Sequence, residues 1–303
     1  MRKVLLAVVF LGIAAAASST LVGAQTVSYE DVLQQPRPQP TAKIAYGKAP
    51  QQFGELYLPA GKPPYLVVVL LHGGCWLAAL PSTELMAPMA GDLVKHGYAV
   101  WSIAYRRVGE DGGGYPGTFQ DTAAAIDMLR TLAPKYHLDL ARVVLVGHSA
   151  GGHLALWAAA RAHLPKDNKL YQPNPLPVAG VVSLAGIDNL KAYRDGGPSA
   201  CGGPSTIDSL VGPSTPLHRD VYADTSPSNL LPIGVRQVIF SGSLDPIVPA
   251  KFGHAYATKA KASGDTVEDV ELPGAGHFEQ IDPQSKAWPR ILQAIQSLSS
   301  RTQ

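Results

Sequence analysis

Val143-Val144-Leu145-Val146-Gly147-His148-Ser149-Ala150-Gly151-Gly152 is the stretch from which the rest of the chain can be read. Its first four residues are apolar and three are β-branched, the signature of a strand buried on both faces. The Ala- and Leu-rich run over 152–162 has the composition of a helix. Between them stands Gly147-His148-Ser149-Ala150-Gly151, a G-x-S-x-G pattern in the strand–turn–helix setting that a nucleophile elbow requires. A serine at the apex of so tight a turn leaves no room for neighbouring side chains, so the flanking positions must be nearly bare. The five-residue pattern alone is weak; its placement makes it specific.

The chain opens with Met1-Arg2-Lys3, continues apolar over 4–17, and offers small residues at Val22-Gly23-Ala24. This predicts a leader over 1–24, cleaved after Ala24, because the apolar run is too short to anchor in a bilayer. A periplasmic or secreted protein follows. Losing Arg2 and Lys3 leaves 23 of the 25 basic residues against 23 acidic ones. A near-neutral chain without basic runs gives no reason to expect a nucleic-acid partner. No later stretch is apolar enough to span, so no stable membrane insertion is expected after processing. The remaining ~280 residues suffice for one large core. Cys75 and Cys201, the two cysteines, admit either a disulfide or two small buried thiols.

Residues 25–40 are polar, with Pro36, Pro38 and Pro40 close together, and read as an extended arm rather than core. The catalytic domain is expected over 41–303. An antiparallel edge hairpin over 44–58 precedes the apolar strand 65–71, which delivers His72-Gly73-Gly74-Cys75-Trp76. A helix over 82–96, capped by Ser82, leads to a buried strand at 99–104. A glycine-rich loop, a helix over 119–136 and the elbow follow. Strands at 178–184, 237–241 and 267–272, with helices over 249–263 and 284–299, complete the alternation. Alternating strands and helices imply an α/β fold, a mostly parallel sheet with helices on both faces. Residues 185–233 break the rhythm: they are rich in Gly, Pro, Ser and Asp, with one helical piece near 205–211, and read as a lid or pocket wall.

Ser149 needs a base to take its proton, and the base needs an acid to hold its tautomer. Asp245 ends one strand and His277 lies in a glycine-flanked loop after the next, at the edge where parallel sheets gather their chemistry. Asp188, which also follows a strand, is the rival acid. The order Ser, Asp, His is that of the α/β-hydrolase fold. Backbone N–H groups of Gly74, Cys75 and Ala150 are the candidate oxyanion cradle. His153 and Trp157 share a helix face with Ser149 and read as packing. Tyr105 and Arg106 read as supports for the active-site loops. His72, His148 and His153 have no matched carboxylate set, so no metal site is read from them.

Together His72-Gly73-Gly74-Cys75-Trp76, Tyr105-Arg106, Gly147 through Leu154, Asp245-Pro246 and Gly276-His277-Phe278 resemble the α/β-hydrolase esterases. The nearest branch includes feruloyl/acetyl-xylan esterase-like proteins and the arylformamidases. The resemblance implies a serine hydrolase with no metal or organic cofactor, cleaving small-molecule or polysaccharide-linked carboxylic esters through an acyl-enzyme. It implies Ser149 as nucleophile, His277 as base, Asp245 as orienting acid, and Trp76 as a wall of the substrate pocket. Cys75 departs from the pattern, where glycine or an aromatic is more usual. An amidase or peptidase on the same triad is the alternative, and a non-catalytic binding protein, against which the intact triad speaks, is the remote one.

Overall fold

Apolar runs that are buried on both faces can only lie inside a sheet covered by helices. A computed structural model describes residues 26–300; the leader expected at 1–24 lies outside the described residues. The strands are β1 (Ala42–Ala45), β2 (Phe53–Tyr57), β3 (Tyr65–Leu71), β4 (Ala99–Ile103), β5 (Leu138–His148), β6 (Gly180–Leu184), β7 (Arg236–Gly242) and β8 (Val267–Leu272). They form one eight-stranded sheet in the order β1-β2-β4-β3-β5-β6-β7-β8. The β1–β2 and β2–β4 pairs are antiparallel, and every pair from β4 to β8 is parallel. The edge hairpin and the parallel body therefore fall where the sequence puts them.

The helices are α1 (Tyr29–Leu33), α2 (Ala87–Lys95), α3 (Gly117–Asp127), α4 (Leu129–Tyr136), α5 (Ala150–Ala160), α6 (Leu190–Gly196), α7 (Pro204–Val211), α8 (Lys251–Ala262) and α9 (Trp288–Ser299). The period-two geometry of the strands divides the core in two. Val67, Val69, Leu71 and Leu145 face Phe119, Leu129, Leu154 and Tyr256 from α3, α4, α5 and α8. Val68, Leu70, Val144 and Val146 face Val32, Met89 and Ile291 from α1, α2 and α9. None of the described helices is long and apolar enough to cross a membrane.

Three local readings change. The helix expected over 119–136 is two helices that meet at Met128; Asp127, at the join, is held by Arg130 and Arg161 and accepts the Leu176 N–H. Ser82 does not cap a helix: its hydroxyl lies 3.2 Å from His72 Nε2, and a 3₁₀ turn at Thr83–Met86 precedes α2. Residues 25–40 are not wholly an extended arm. Ser28 and Asp31 form a capping box that starts α1, and the Val32 side chain of this short helix is fully buried.

The insertion 185–233 contains α6 and α7 and is bound to the body by a disulfide. Cys75 and Cys201 are bridged, with Cα atoms 5.3 Å apart and a sequence separation of 126. A crosslink over so long a loop removes much freedom from the unfolded chain, and losing one costs typically ~2–5 kcal/mol. Cys201→Ser is expected to lower the Tm by roughly 5–15 °C; a calorimetric Tm within 2 °C of the wild type would show that the bridge contributes nothing to stability.

Candidate active site

β5 runs into α5 through Ser149, whose backbone is left-handed at φ 54°, ψ −118°. A non-glycine residue held there is strained, so the surroundings must impose it. They do so by close approach. A Cβ on Gly147 would lie 2.0 Å from the Gly151 carbonyl oxygen, and one on Gly151 would lie 2.0 Å from that of Leu71. The Ser149 N–H donates to Leu184 O on β6 at 2.8 Å. The serine is therefore pinned between β3 and β6 at the carboxyl edge of the sheet.

Two neighbouring turns bring the acid and the base to the same edge. Asp245 follows β7, and its Oδ1 accepts the N–H groups of Ile247 and Val248, both at 2.8 Å. Its Oδ2 accepts from His277 Nδ1 at 2.7 Å. With Nδ1 donating, the lone pair of the neutral ring sits on Nε2, the nitrogen that a base must present. Both side chains are almost wholly buried. The turns are stitched together, since the Leu244 N–H donates to Ala275 O (2.9 Å) and the Gly274 N–H to Ser243 Oγ (2.8 Å). Ser149 and His277 line one cavity of about 240 Å³. Among the described residues no hydrogen bond joins the serine hydroxyl to the imidazole; such catalytic contacts commonly tighten only in the complex with substrate.

Gly74 and Cys75 line that cavity too. Their N–H groups donate to no acceptor among the described residues, and the Ala150 N–H opens α5, where the first amides have no partner in the helix. Gly74, Cys75 and Trp76 take positive φ values of 102°, 50° and 57° in succession. The loop is braced from below. His72 Nδ1 donates to Gly73 O (2.6 Å), so its Nε2 accepts from the Ser82 hydroxyl. Tyr105 stacks on the His72 ring at 4.3 Å and donates its hydroxyl proton to His72 O at 2.8 Å. Burial pushes the His72 pKa down to about 3, so the ring stays neutral. Arg106 makes a two-pronged ion pair with Asp121 at 2.7 and 2.8 Å. Tyr105 thus braces the loop that follows β3, whereas Arg106 ties the segment after β4 to Asp121 of α3.

Four other placements answer the sequence reading. Trp76 is not a wall of the cavity: it is 0% exposed, turned into the core, with its ring edge-on to His153. The left-handed backbone at 75 and 76 is what redirects it. His153 and Trp157 are buried on α5, where His153 Nε2 donates to Thr225 O and Trp157 Nε1 to Asp224 O, both at 2.8 Å. They hold the insertion against the helix. Asp188 makes no hydrogen bond to the imidazole among the described residues; it accepts from the Ser183 hydroxyl at 3.0 Å, and burial raises its pKa to about 7. His148, which in the sequence belongs to the elbow motif without a role of its own, donates Nε2–H to the His277 carbonyl oxygen at 3.1 Å, and the two ring centroids lie 4.5 Å apart. Burial, and then His277, hold its pKa well below the ordinary value. The cavity walls that sequence reasoning missed are Tyr29, Leu80, Leu85, Ala200 and Ile247. None of these carries a local motif.

Comparison with known proteins places this geometry. The BD-FAE family profile matches residues 55–259, more than half of the chain and a span that includes Ser149 and Asp245. The chain belongs to the BD-FAE family. It is 26% identical to the esterase LipC of Mycobacterium tuberculosis over 247 residues, 79% of this chain and 60% of that protein. It is also 26% identical to the probable carboxylesterase 5 of Arabidopsis thaliana over 242 residues, 72% of each. The chain thus spans under two thirds of LipC. The structure of esterase B from Lactobacillus rhamnosis superposes with a TM-score of 0.74 at 21% identity, covering 85% of this chain and 84% of that one. A carbohydrate esterase from gut microbiota superposes with a TM-score of 0.71 at 22% identity, covering 86% and 95%. The fold of this BD-FAE member is that of the α/β-hydrolases.

The buried Asp188 carboxyl sets a pH dependence. Its folded-state pKa, about 7, lies above the unfolded value of ~3.9. Between those values only the folded chain holds the proton, so this group's contribution to stability is lost as pH rises from ~4 to ~7. Asp188→Asn, which cannot ionise, is expected to gain on the wild type across that window by up to about 4 kcal/mol. Urea unfolding at pH 4.5 and pH 8 reads the gain; parallel curves for the two proteins would refute the assignment.

Proposed function

We propose that this protein is an exported serine hydrolase that cleaves carboxylic esters through an acyl-enzyme. The observation that carries the reading is the buried Asp245–His277 hydrogen bond, 2.7 Å long, opening on the same cavity as Ser149. His277 Nε2 takes the proton as Ser149 Oγ attacks the ester carbonyl carbon, and Asp245 stabilises the imidazolium that forms. The amides of Gly74, Cys75 and Ala150 receive the oxyanion; each such donor contributes ~2.7–4 kcal/mol to lowering the barrier. His277 then hands its proton to the leaving alcohol oxygen, the acyl group stays on Ser149, and a water activated by the same base releases the acid. No step calls for a cofactor.

The esterase names of LipC, carboxylesterase 5 and esterase B support the reaction class. The carbohydrate esterase among the structural relatives supports a sugar-linked ester as a substrate. The cavity is smaller than the ~300–1,000 Å³ of sites that take drug-sized ligands. Its lining has apolar and aromatic side chains beside Ser149, His148 and His277, and no lysine, arginine or carboxylate. Both features favour a short, neutral acyl group. Export is supported by the leader-like start of the chain and by the Cys75–Cys201 bridge, a bond that persists in oxidising compartments.

Ser149→Ala is expected to abolish turnover of p-nitrophenyl acetate and labelling by a fluorophosphonate probe. Asp245→Asn is expected to lower kcat by roughly 10³–10⁴-fold, with Asp188→Asn close to the wild type. The reverse ranking of the two aspartates would overturn the triad. Faster cleavage of formyl-aryl amides or dipeptidyl anilides than of any ester in the same panel would move the enzyme to the amidases or peptidases.

A further inference from the structure

Residues 26–40 lie outside the span that matches the family, yet they reach the catalytic cavity. The Val27 N–H donates to Glu279 Oε1 at 2.6 Å. The other oxygen of that carboxylate accepts the N–H of Gly276 at 2.9 Å, one residue before His277. Farther along, Gln35 Nε2 donates to Asp282 Oδ1 at 2.8 Å. Between these two anchors the buried Val32 joins the core cluster that holds Leu85, Met86 and Ile281. The segment is a strap tied at both ends to the loop that carries the base.

Tyr29 stands in the middle of the strap. It lines the same cavity as Ser149 and His277, and its ring centroid is 5.8 Å from that of Phe278. Its hydroxyl makes no hydrogen bond among the described residues, so the ring is held by packing and by the anchors on either side. Leu80, Leu85, Ala200 and Ile247, the other apolar walls, belong to four separate parts of the fold core and insertion. Tyr29 alone comes from the strap, and it is the largest side chain among the walls outside the triad loop.

We propose that Tyr29 is a specificity-determining residue, the wall that limits the length of the acyl group held beside Ser149. This rests on the ester-hydrolase reading above. An aromatic ring that walls an apolar slot discriminates sterically: it accepts short acyl groups more readily than longer ones, and each excluded or admitted methylene shifts kcat/KM by a measurable factor. Removing the ring lengthens the slot without touching Ser149, His277 or the amide cradle.

The test is the ratio of kcat/KM for p-nitrophenyl octanoate to that for p-nitrophenyl acetate. A ratio taken within one variant cancels any change in the amount of folded enzyme. Tyr29→Ala is expected to raise the ratio roughly tenfold or more, chiefly through a lower KM for the octanoate. Tyr29→Phe, which keeps the ring and loses the hydroxyl, is expected to keep the wild-type ratio. A Tyr29→Ala ratio within twofold of the wild type, or a Tyr29→Phe ratio shifted as far as that of Tyr29→Ala, would overturn the steric wall alone. A wild-type enzyme that turns over neither ester would overturn the esterase reading and the wall with it.

Discussion

The constraint on which this structure depends is the approach of α5 to the carboxyl ends of β3, β5 and β6. A helix can start that close to three strands only where its first residues have no side chains, and Gly147, Gly151 and Gly152 are all sites where a Cβ would strike neighbouring atoms at 2.7 Å or less. The approach forces Ser149 into a left-handed backbone and aims its hydroxyl out of the sheet. It also leaves the first amide of α5 beside the serine, and brings Gly73 to where even a methyl would meet His148 Nδ1 at 2.8 Å. The strained Ser149, the free first amide of α5 and the floor of the cavity are therefore consequences of one packing event.

Everything added to that floor is tied down by buried polar pairs or by a covalent bond. A buried donor or acceptor without a partner costs ~1–3 kcal/mol, which favours anchoring the loops through groups that pair with their neighbours. The Asp245 carboxylate takes two backbone N–H groups besides the imidazole. The insertion is held by the disulfide on one side and by the carbonyls of Asp224 and Thr225 on the other. The strap is held through Glu279 and Asp282. Two separate covers thus meet over one serine. The insertion brings Ala200 and the strap brings Tyr29. The catalytic floor and the shape of its pocket are set by different parts of the chain.

The sheet was legible, and Ser149, Asp245 and His277 could be singled out as candidates, because their signals are local. A run such as Tyr65–Leu71 declares a buried strand by composition, and Ser149, Asp245 and His277 each stand at the end of such a strand among turn residues. The rival Asp188 met the same local criterion, but its carboxylate accepts from Ser183 while the imidazole of His277 donates to Asp245. The α1 helix was obscured by the prolines that follow it, although its capping box, Ser28 and Asp31, was present to be read.

By itself, the amino-acid sequence determined the alternation of strands and helices, the elbow, and the three side chains whose chemistry belongs together. Only the tertiary structure decided that Cys75 meets Cys201, that Trp76 turns into the core and that Tyr29 lines the cavity beside Ser149. The physical reason is range. Periodicity and turn chemistry act between near neighbours and leave a pattern in the residues themselves, whereas Val27 with Glu279, or Cys75 with Cys201, are brought together by the packing of whole elements and mark neither partner's surroundings in sequence.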